Sequence, residues 1–127
     1  MTKIKTSELQ GAALDWAVAE AVGVEVDIRA ESPCKVHDSG GVWLQPTARR
    51  PYMPSSNWGQ GGPLIEAYHV DLESNLADEW AGSVAAEDPG GDPRWISKTG
   101  PTPLIAACRA IVAAKMGDEV DVPEELA

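Results

Sequence analysis

The sequence predicts an α+β fold, in which a small and mostly antiparallel sheet of short strands packs with an N-terminal and a C-terminal helix. Apolar side chains recur at helical spacing in residues 12–22 and 103–116,. Between these two segments, short stretches rich in apolar residues are separated by Gly, Pro and Asp turns,. The chain has 127 residues, enough for one domain with its own core,. We therefore expect a single helix/sheet sandwich over residues 1–127.

The first elements follow from local patterns. Residues 3–6 alternate charged and β-branched side chains and predict an opening strand,. The helix over 12–22 ends at Gly23, which tolerates a left-handed backbone, and residues 24–29 alternate as a half-buried strand does,. On this helix we expect Asp15 to lie away from the core face, which is formed by Leu9, Ala13, Trp16 and Ala17,.

The central part of the chain contains many turn residues. A short strand is predicted over 42–45, and residues 46–63 hold four prolines and several glycines, a density that predicts a long loop,. A short helix over 63–68 follows, with strands over 70–73, 80–85 and 95–98 and an acidic turn over 87–93 between the last two,.

The final helix has the clearest boundaries. Thr102 can cap it, Pro103 suits its first turn, and Gly117 can end it,. Its apolar stripe consists of Leu104, Ile105, Cys108, Ile111 and Val112. The acidic tail over 118–127 can pack back through Val120, Val122 and Leu126.

The net charge of −10 limits the classes of partner. Residues 51–93 contain eight acidic side chains and no Lys or Arg, and such a surface repels nucleic acid phosphates and anionic lipids,. We therefore expect neither direct nucleic acid binding nor membrane association. The acidic face could imitate DNA toward a basic protein, or it could serve only solubility, which is the plainer interpretation.

The remaining composition suggests a reducing compartment. Glu8 precedes any apolar stretch, so we expect no secretory signal,. Cys34 and Cys108 lack metal-type spacing, and we interpret them as free thiols, with a disulfide as the alternative,. Five tryptophans accompany no phenylalanine, and because an indole N–H needs a partner we expect several rings at the edge of the core,. Exposed rings would also allow a homodimer.

The central loop is the candidate ligand site. Aromatic faces there stand beside hydroxyl and amide groups, glycines allow close backbone approach, and two arginines lie just upstream,. Such a set could stack a base and hold a phosphate or ribose. The plainer interpretation is a structural loop in which Trp58 fills the core. The candidate residues are Arg49, Arg50, Tyr52, Ser55, Ser56, Asn57, Trp58 and Gln60.

Arg109 is a further candidate, because it interrupts an apolar helix. It could point inward toward an anion, or it could extend along the helix flank and cover apolar surface. No spacing identifies a nucleophile with its base, so no catalytic residue is assigned. Two dispersed cysteines and two histidines give no metal site, and no cofactor is expected,.

Three stretches of the sequence belong together in the search for a family. They are residues 6–18 (TSELQGAALDWAV), 54–66 (PSSNWGQGGPLIE) and 100–126 (GPTPLIAACRAIVAAKMGDEVDVPEEL). As a set they resemble the NinX-like family of bacteriophage proteins. The resemblance implies a phage or prophage origin and a setting in the cytoplasm of the bacterial host. It supplies no catalytic residues.

Three functions compete at this point. The leading hypothesis is a non-enzymatic phage accessory protein that binds a host factor or a small ligand, including a nucleotide-like one held by Trp58 and the arginines. The alternative is an acidic interaction module that blocks a basic host surface. A small hydrolase is the third.

Overall fold

A computed structural model describes residues 1–29, 41–44, 51–75, 78–87, 90–91 and 93–127. Within these ranges the chain combines three α-helices with seven strands, which confirms the predicted α+β class. The helices are α1 (Gly11–Val22), α2 (Trp58–Ala67) and α3 (Pro103–Met116). The strands are β1 (Thr2–Lys5), β2 (Val26–Arg29), β3 (Gly41–Leu44), β4 (Asp71–Asn75), β5 (Glu79–Glu87), β6 (Pro93–Gly100) and β7 (Glu119–Val122).

All strand pairs in the described part of the chain are antiparallel. The largest sheet has the order β4-β5-β6, while β2 pairs with β3 and β1 pairs with β7. In the middle strand, Ser83 lies opposite Asp71 on one side and Ser97 on the other. The hydroxyls of Ser83 and Ser97 are 2.7 Å apart and share a hydrogen bond on the outer face of this sheet.

The β1–β7 ladder joins the two ends of the fold. Its register places Thr2 opposite Val122. Just beyond the ladder, the Thr6 N–H donates to the Asp118 carbonyl at 2.7 Å, and the Thr6 hydroxyl donates to the Gly117 carbonyl at 2.7 Å. The predicted packing of the tail is confirmed at Val122, which is fully buried.

Helix α3 is the central element of the core. It contacts α1 on one side and strands β5 and β6 on the other. A helix enclosed on two sides must be apolar nearly all round, which is why its alanines are buried together with the predicted stripe. Its buried residues are Leu104, Ala106, Ala107, Cys108, Ala110, Ile111, Val112 and Ala113.

Two glycines let α3 lie very close to the sheet. A Cβ atom at Gly82 would stand 2.8 Å from the Ala106 carbonyl oxygen and 3.0 Å from the Ala107 Cα. One at Gly100 would stand 2.8 Å from the Ile105 Cγ2. Both glycines are therefore required because the backbones meet there without room for a side chain.

The helix boundaries predicted from local signals are confirmed. The Thr102 hydroxyl accepts the Ile105 N–H at 3.1 Å, and the helix begins at Pro103. Gly23 follows α1 with a φ of 80°, in the left-handed region expected of a C-terminal glycine,. Gly117 ends α3 with a φ of 89°.

The predicted loop over 46–63 is wrong in its last part. Helix α2 begins at Trp58 and passes through Pro63, so the helix predicted to begin at Pro63 begins five residues earlier. Gly61 faces the Pro54 backbone and the Leu104 side chain, where a Cβ would collide with both. This tertiary contact outweighs the poor helix propensity of the glycines. Residues 46–50 lie outside the described part of the chain.

We expect Gly82→Ala to lower the free energy of unfolding by about 1–3 kcal/mol, since the new methyl group meets backbone atoms that cannot move independently. Urea unfolding followed by tryptophan fluorescence measures this change. Gly90→Ala is the matched control, because a Cβ there meets nothing within 4 Å. Equal stability of the two variants would contradict the close helix–sheet contact.

Candidate functional site

The segment 51–57 is attached to α1 through a buried carboxylate. Asp15 is 5% exposed, and its Oδ1 accepts the Ser55 N–H at 2.9 Å. The Ser55 side chain also hydrogen-bonds this carboxylate. The prediction that Asp15 lies away from the core is therefore wrong, because the carboxylate satisfies the backbone of a segment 40 residues along the chain,.

Gln60 attaches the same segment to α2. Its Oε1 accepts the Met53 N–H at 2.7 Å, and its Nε2 donates to the Pro51 carbonyl at 2.9 Å. The Met53 carbonyl in turn accepts the N–H groups of Ser56 and Asn57. These hydrogen bonds fix the backbone of residues 51–57 as a turn that leads into α2,.

The anchored turn presents Trp58 to solvent. Trp58 is the first residue of α2, and its side chain is 56% exposed. Ser56 and Asn57 are also exposed. The interpretation in which Trp58 fills the core is therefore wrong. The expectation of tryptophans at the core edge is met by Trp16 and Trp80, which are partly buried, whereas Trp58 and Trp95 (63% exposed) stand out in solvent.

Tyr52 and Ser55 face the other way. Both are buried, and Tyr52 packs in the cluster that contains Cys108 and Val112 of α3. The structure thus divides the six described loop candidates: Ser56, Asn57 and Trp58 reach solvent, whereas Tyr52 and Ser55 join the core and Gln60 braces the turn. Arg49 and Arg50 lie outside the described residues.

Burial perturbs the titratable groups behind the turn. It raises the pKa of Asp15 to about 6, and the hydrogen bonds from Ser55 oppose this rise. It raises the pKa of Tyr52 to about 12, with further upward contributions from the negative charges of Cys108 and Asp15. Burial also raises the pKa of the Cys108 thiol to about 12. Cys108 is 2% exposed and packs in the core, and the same burial disfavours the nucleophilic thiolate,.

Arg109 binds the protein's own backbone. Its Nε donates to the Leu9 carbonyl and its Nη1 to the Thr99 carbonyl, both at 2.8 Å. Burial lowers the pKa of its guanidinium. The inward interpretation is thus correct in direction, but the partners are two carbonyls instead of an anion. Arg109 joins the chain before α1 to the end of β6.

Other site classes receive no support from the described ranges. No group of three or more His, Cys, Asp or Glu side chains is placed there to hold a metal ion. In the same part of the chain, no helix is long and apolar enough to cross a membrane. Cys108 is a free thiol, as predicted, and Cys34 lies outside the described residues.

Sequence reasoning missed Asp15 as the anchor of the turn. The available signal was its helix, GAALDWAVAEAV, which is apolar nearly all round and leaves little polar face for a carboxylate. A charged residue on such a helix indicates a buried polar partner. Nothing in the sequence around Asp15 indicates that this partner is the backbone of Ser55.

Together, the fold and this turn define a small α+β protein that holds an exposed tryptophan on a rigid backbone. A family model supplies the identity. The chain belongs to the family described as Bacteriophage P22, NinX, whose model matches residues 5–115. It is therefore a phage accessory protein, and the resemblance seen in the sequence is confirmed. Comparison with curated proteins gives no significant match.

We expect Asp15→Asn to stabilise the protein by about 1–3 kcal/mol at about pH 7.5. The carboxyl has a folded-state pKa of about 6 against an ordinary value of 3.8, so its ionisation favours the unfolded chain. The wild-type protein regains this stability as the pH falls through 6, and the gap between the two proteins should narrow by about 1 kcal/mol at about pH 5. The asparagine Oδ1 can still accept the Ser55 N–H.

Urea unfolding at both pH values measures this effect, with Asp121→Asn, at an exposed position of β7, as the control. A loss of stability that is equal at both pH values would contradict the prediction. It would mean that the ionised carboxylate strengthens its hydrogen bonds by more than its burial costs.

We expect Arg109→Met to destabilise the protein by about 1–3 kcal/mol, because the Leu9 and Thr99 carbonyls lose their donors. Thermal and urea unfolding measure the change. Lys3→Met is the control, because it also removes a positive charge but at an exposed position of β1. It should change the free energy of unfolding little,. If both variants are equally stable, water replaces the guanidinium without cost and Arg109 is not a structural link.

Proposed function

We propose that this phage accessory protein acts by stoichiometric binding of a host protein through the surface formed by Ser56, Asn57 and Trp58, in the cytoplasm of the bacterial host. The observation that carries the proposal is an indole 56% exposed on a backbone held from two sides by Asp15 and Gln60. The proposal does not involve turnover.

Physical arguments favour an interface at this position. Exposing an indole forgoes the free energy of burying it, and tryptophan is enriched among the residues that dominate binding energies. The hydrogen bonds to Met53 and Ser55 order the backbone before any partner arrives. Binding would therefore cost little conformational entropy, which is the advantage of a preorganised surface.

The surroundings of Trp58 favour a protein over a small molecule as the partner. Two grooves in the described part of the chain are lined by residues other than Ser56, Asn57 and Trp58. Polar Ser56 and Asn57 precede the ring, and Met53, 36% exposed, lies on the same turn. Aromatic and methionine side chains among polar groups are typical of protein–protein interfaces.

Binding is also favoured over hydrolysis by the position of the perturbed groups. Asp15, Tyr52 and Cys108 have raised pKa values because they are buried in the core behind the turn. An acid, base or nucleophile that acts on substrate has to reach it within hydrogen-bonding distance.

The acidic surface offers a second candidate function, which is to block a basic host protein. Asp71 and Glu73 on β4 are exposed, and so are Glu119 and Asp121 on β7. With a net charge of −10, these groups would attract a basic partner over long range,. Such a complex would weaken steeply with salt, whereas an interface centred on Trp58 would not.

We expect Trp58→Ala to abolish capture of the host partner. Tagged wild-type, Trp58→Ala and Trp95→Ala proteins are purified from infected host cells, and the co-purifying proteins are quantified by mass spectrometry. The affinity of the purified partner should then fall by about 30-fold in Trp58→Ala, equivalent to about 2 kcal/mol, because a central anchor is lost. Trp95, also exposed but on β6, is the matched control and should bind normally.

Two results would contradict the proposal. One is a partner retained equally by the wild type and Trp58→Ala, with affinity that collapses between about 0.05 M and 0.5 M NaCl, which would favour the acidic surface. The other is native mass spectrometry in which Trp58 is required only for a dimer of this chain.

A further inference from the structure

A groove of about 500 Å³ lies at the opposite end of α2 from Trp58. It opens between the C-terminal end of α2, strand β5 and the last turns of α3. The volume falls within the range of sites that enclose small molecules. Its lining consists of Ala67, Tyr68, His69, Val84, Ala85, Ala86, Ile111, Ala114 and Lys115.

The groove combines an apolar floor with a cationic rim. Val84 and Ile111 belong to the buried cluster beneath it. At the rim, the Lys115 Nζ lies 5.4 Å from the centroid of the Tyr68 ring, a distance at which the ammonium group interacts with the aromatic face,. His69 adds a ring nitrogen that can donate a hydrogen bond.

The charge at the groove differs from that of the whole chain. The protein has 20 acidic and 10 basic residues, yet no carboxylate is among the residues that line this groove in the described part of the chain. Lys115 is the one lining residue that always carries a charge at neutral pH,. The local chemistry therefore complements an anion, whereas the general field of the protein opposes one.

The backbone at His69 supports a role for its side chain. His69 has a φ of 51°, in the left-handed region that usually takes glycine at a helix C-terminus,. Hydrogen bonds from the Val70 N–H to the Ile65 carbonyl at 3.0 Å and from the His69 N–H to the Glu66 carbonyl at 3.3 Å fix this turn. A glycine would make the same turn with less strain, so the imidazole is present at a cost in backbone energy.

We propose that this groove binds a small monoanion with an aromatic or aliphatic body. The anionic group would lie between Lys115 and His69, and the body would lie on Tyr68, Ala86 and Ala114, which are partly exposed above the buried Val84 and Ile111. A single negative charge fits one lysine, whereas a polyanion such as a nucleoside triphosphate would be repelled by the net charge of −10,. The proposal is independent of the Trp58 surface, since none of the residues involved is shared.

The test compares two probes of nearly equal shape, 2-naphthoate and its uncharged analogue 2-naphthamide. Each is titrated into ¹⁵N-labelled protein, and the amide shifts give both the location and the affinity. We expect 2-naphthoate to shift residues 84–86 and 111–115, with a Kd of about 1 mM or tighter. We expect 2-naphthamide to bind at least about tenfold more weakly, because it lacks the charge.

Variants separate the charge from the apolar floor. Lys115→Met should weaken 2-naphthoate about tenfold and leave 2-naphthamide unchanged. Lys98→Met, which removes a lysine paired with Asp118 on another part of the surface, is the matched control and should change neither. Ala114→Met, which fills the groove, should weaken both probes, and the dispersion of the amide spectrum reports that the variant is folded.

The proposal is overturned if 2-naphthoate causes no saturable shifts at these residues, or if 2-naphthamide binds as well. An unchanged 2-naphthoate affinity in Lys115→Met also overturns it. Because Trp58→Ala leaves every lining residue intact, its 2-naphthoate affinity should equal that of the wild type, so loss of the host partner and loss of this groove are distinguishable results.

Discussion

The close contact between α3 and the β4–β5–β6 sheet is the constraint on which the rest of the structure depends. Gly82 and Gly100 bring the strand backbones against Ala106 and its neighbours, so one side of α3 is covered by the sheet itself. The opposite side remains apolar and is covered by α1 and β7. Helix α3 contacts α1, α2 and strands β4, β5, β6 and β7 directly, so it positions most of the other elements of the fold,.

The exposed turn depends on the same framework. Gly61 allows α2 to approach Leu104 of α3, and the preceding turn places Tyr52 beside Cys108. Asp15 then holds the Ser55 backbone from the α1 side. The rigidity of the Trp58 surface therefore comes from three separate elements of the core, which is how a short segment rich in Gly and Pro becomes ordered.

Local signals in the sequence predict much of the fold. Thr102, Pro103 and Gly117 mark the boundaries of α3 because capping is decided within a few residues,. The start of α2 at Trp58 was not predictable in this way, since the glycines and Pro63 disfavour a helix locally and only the contact of Gly61 with Pro54 and Leu104 reverses that preference,.

The candidate site, like the fold, has features that local sequence predicts and features that only tertiary contacts decide. The sequence identifies the segment around Trp58 by its composition, but not which of its side chains reach solvent. Asp15 and Arg109 hydrogen-bond to backbone groups 40 and 100 residues away. Every residue has a backbone carbonyl and nearly every one an N–H, so the sequence does not indicate which of them a distant side chain will bind. Polar anchors of this type become visible only when the chain is folded.

The β1–β7 ladder has a mechanical consequence. Thr2 and Val122, the outermost residues of the two strands, form its first pair. A force applied through the two ends of the chain would act on that pair first and then on Lys3 and Asp121, so the backbone hydrogen bonds would open one after another instead of resisting together in shear. This sequential opening would continue until the load reached Thr6, whose backbone and hydroxyl both bind the chain at the end of α3.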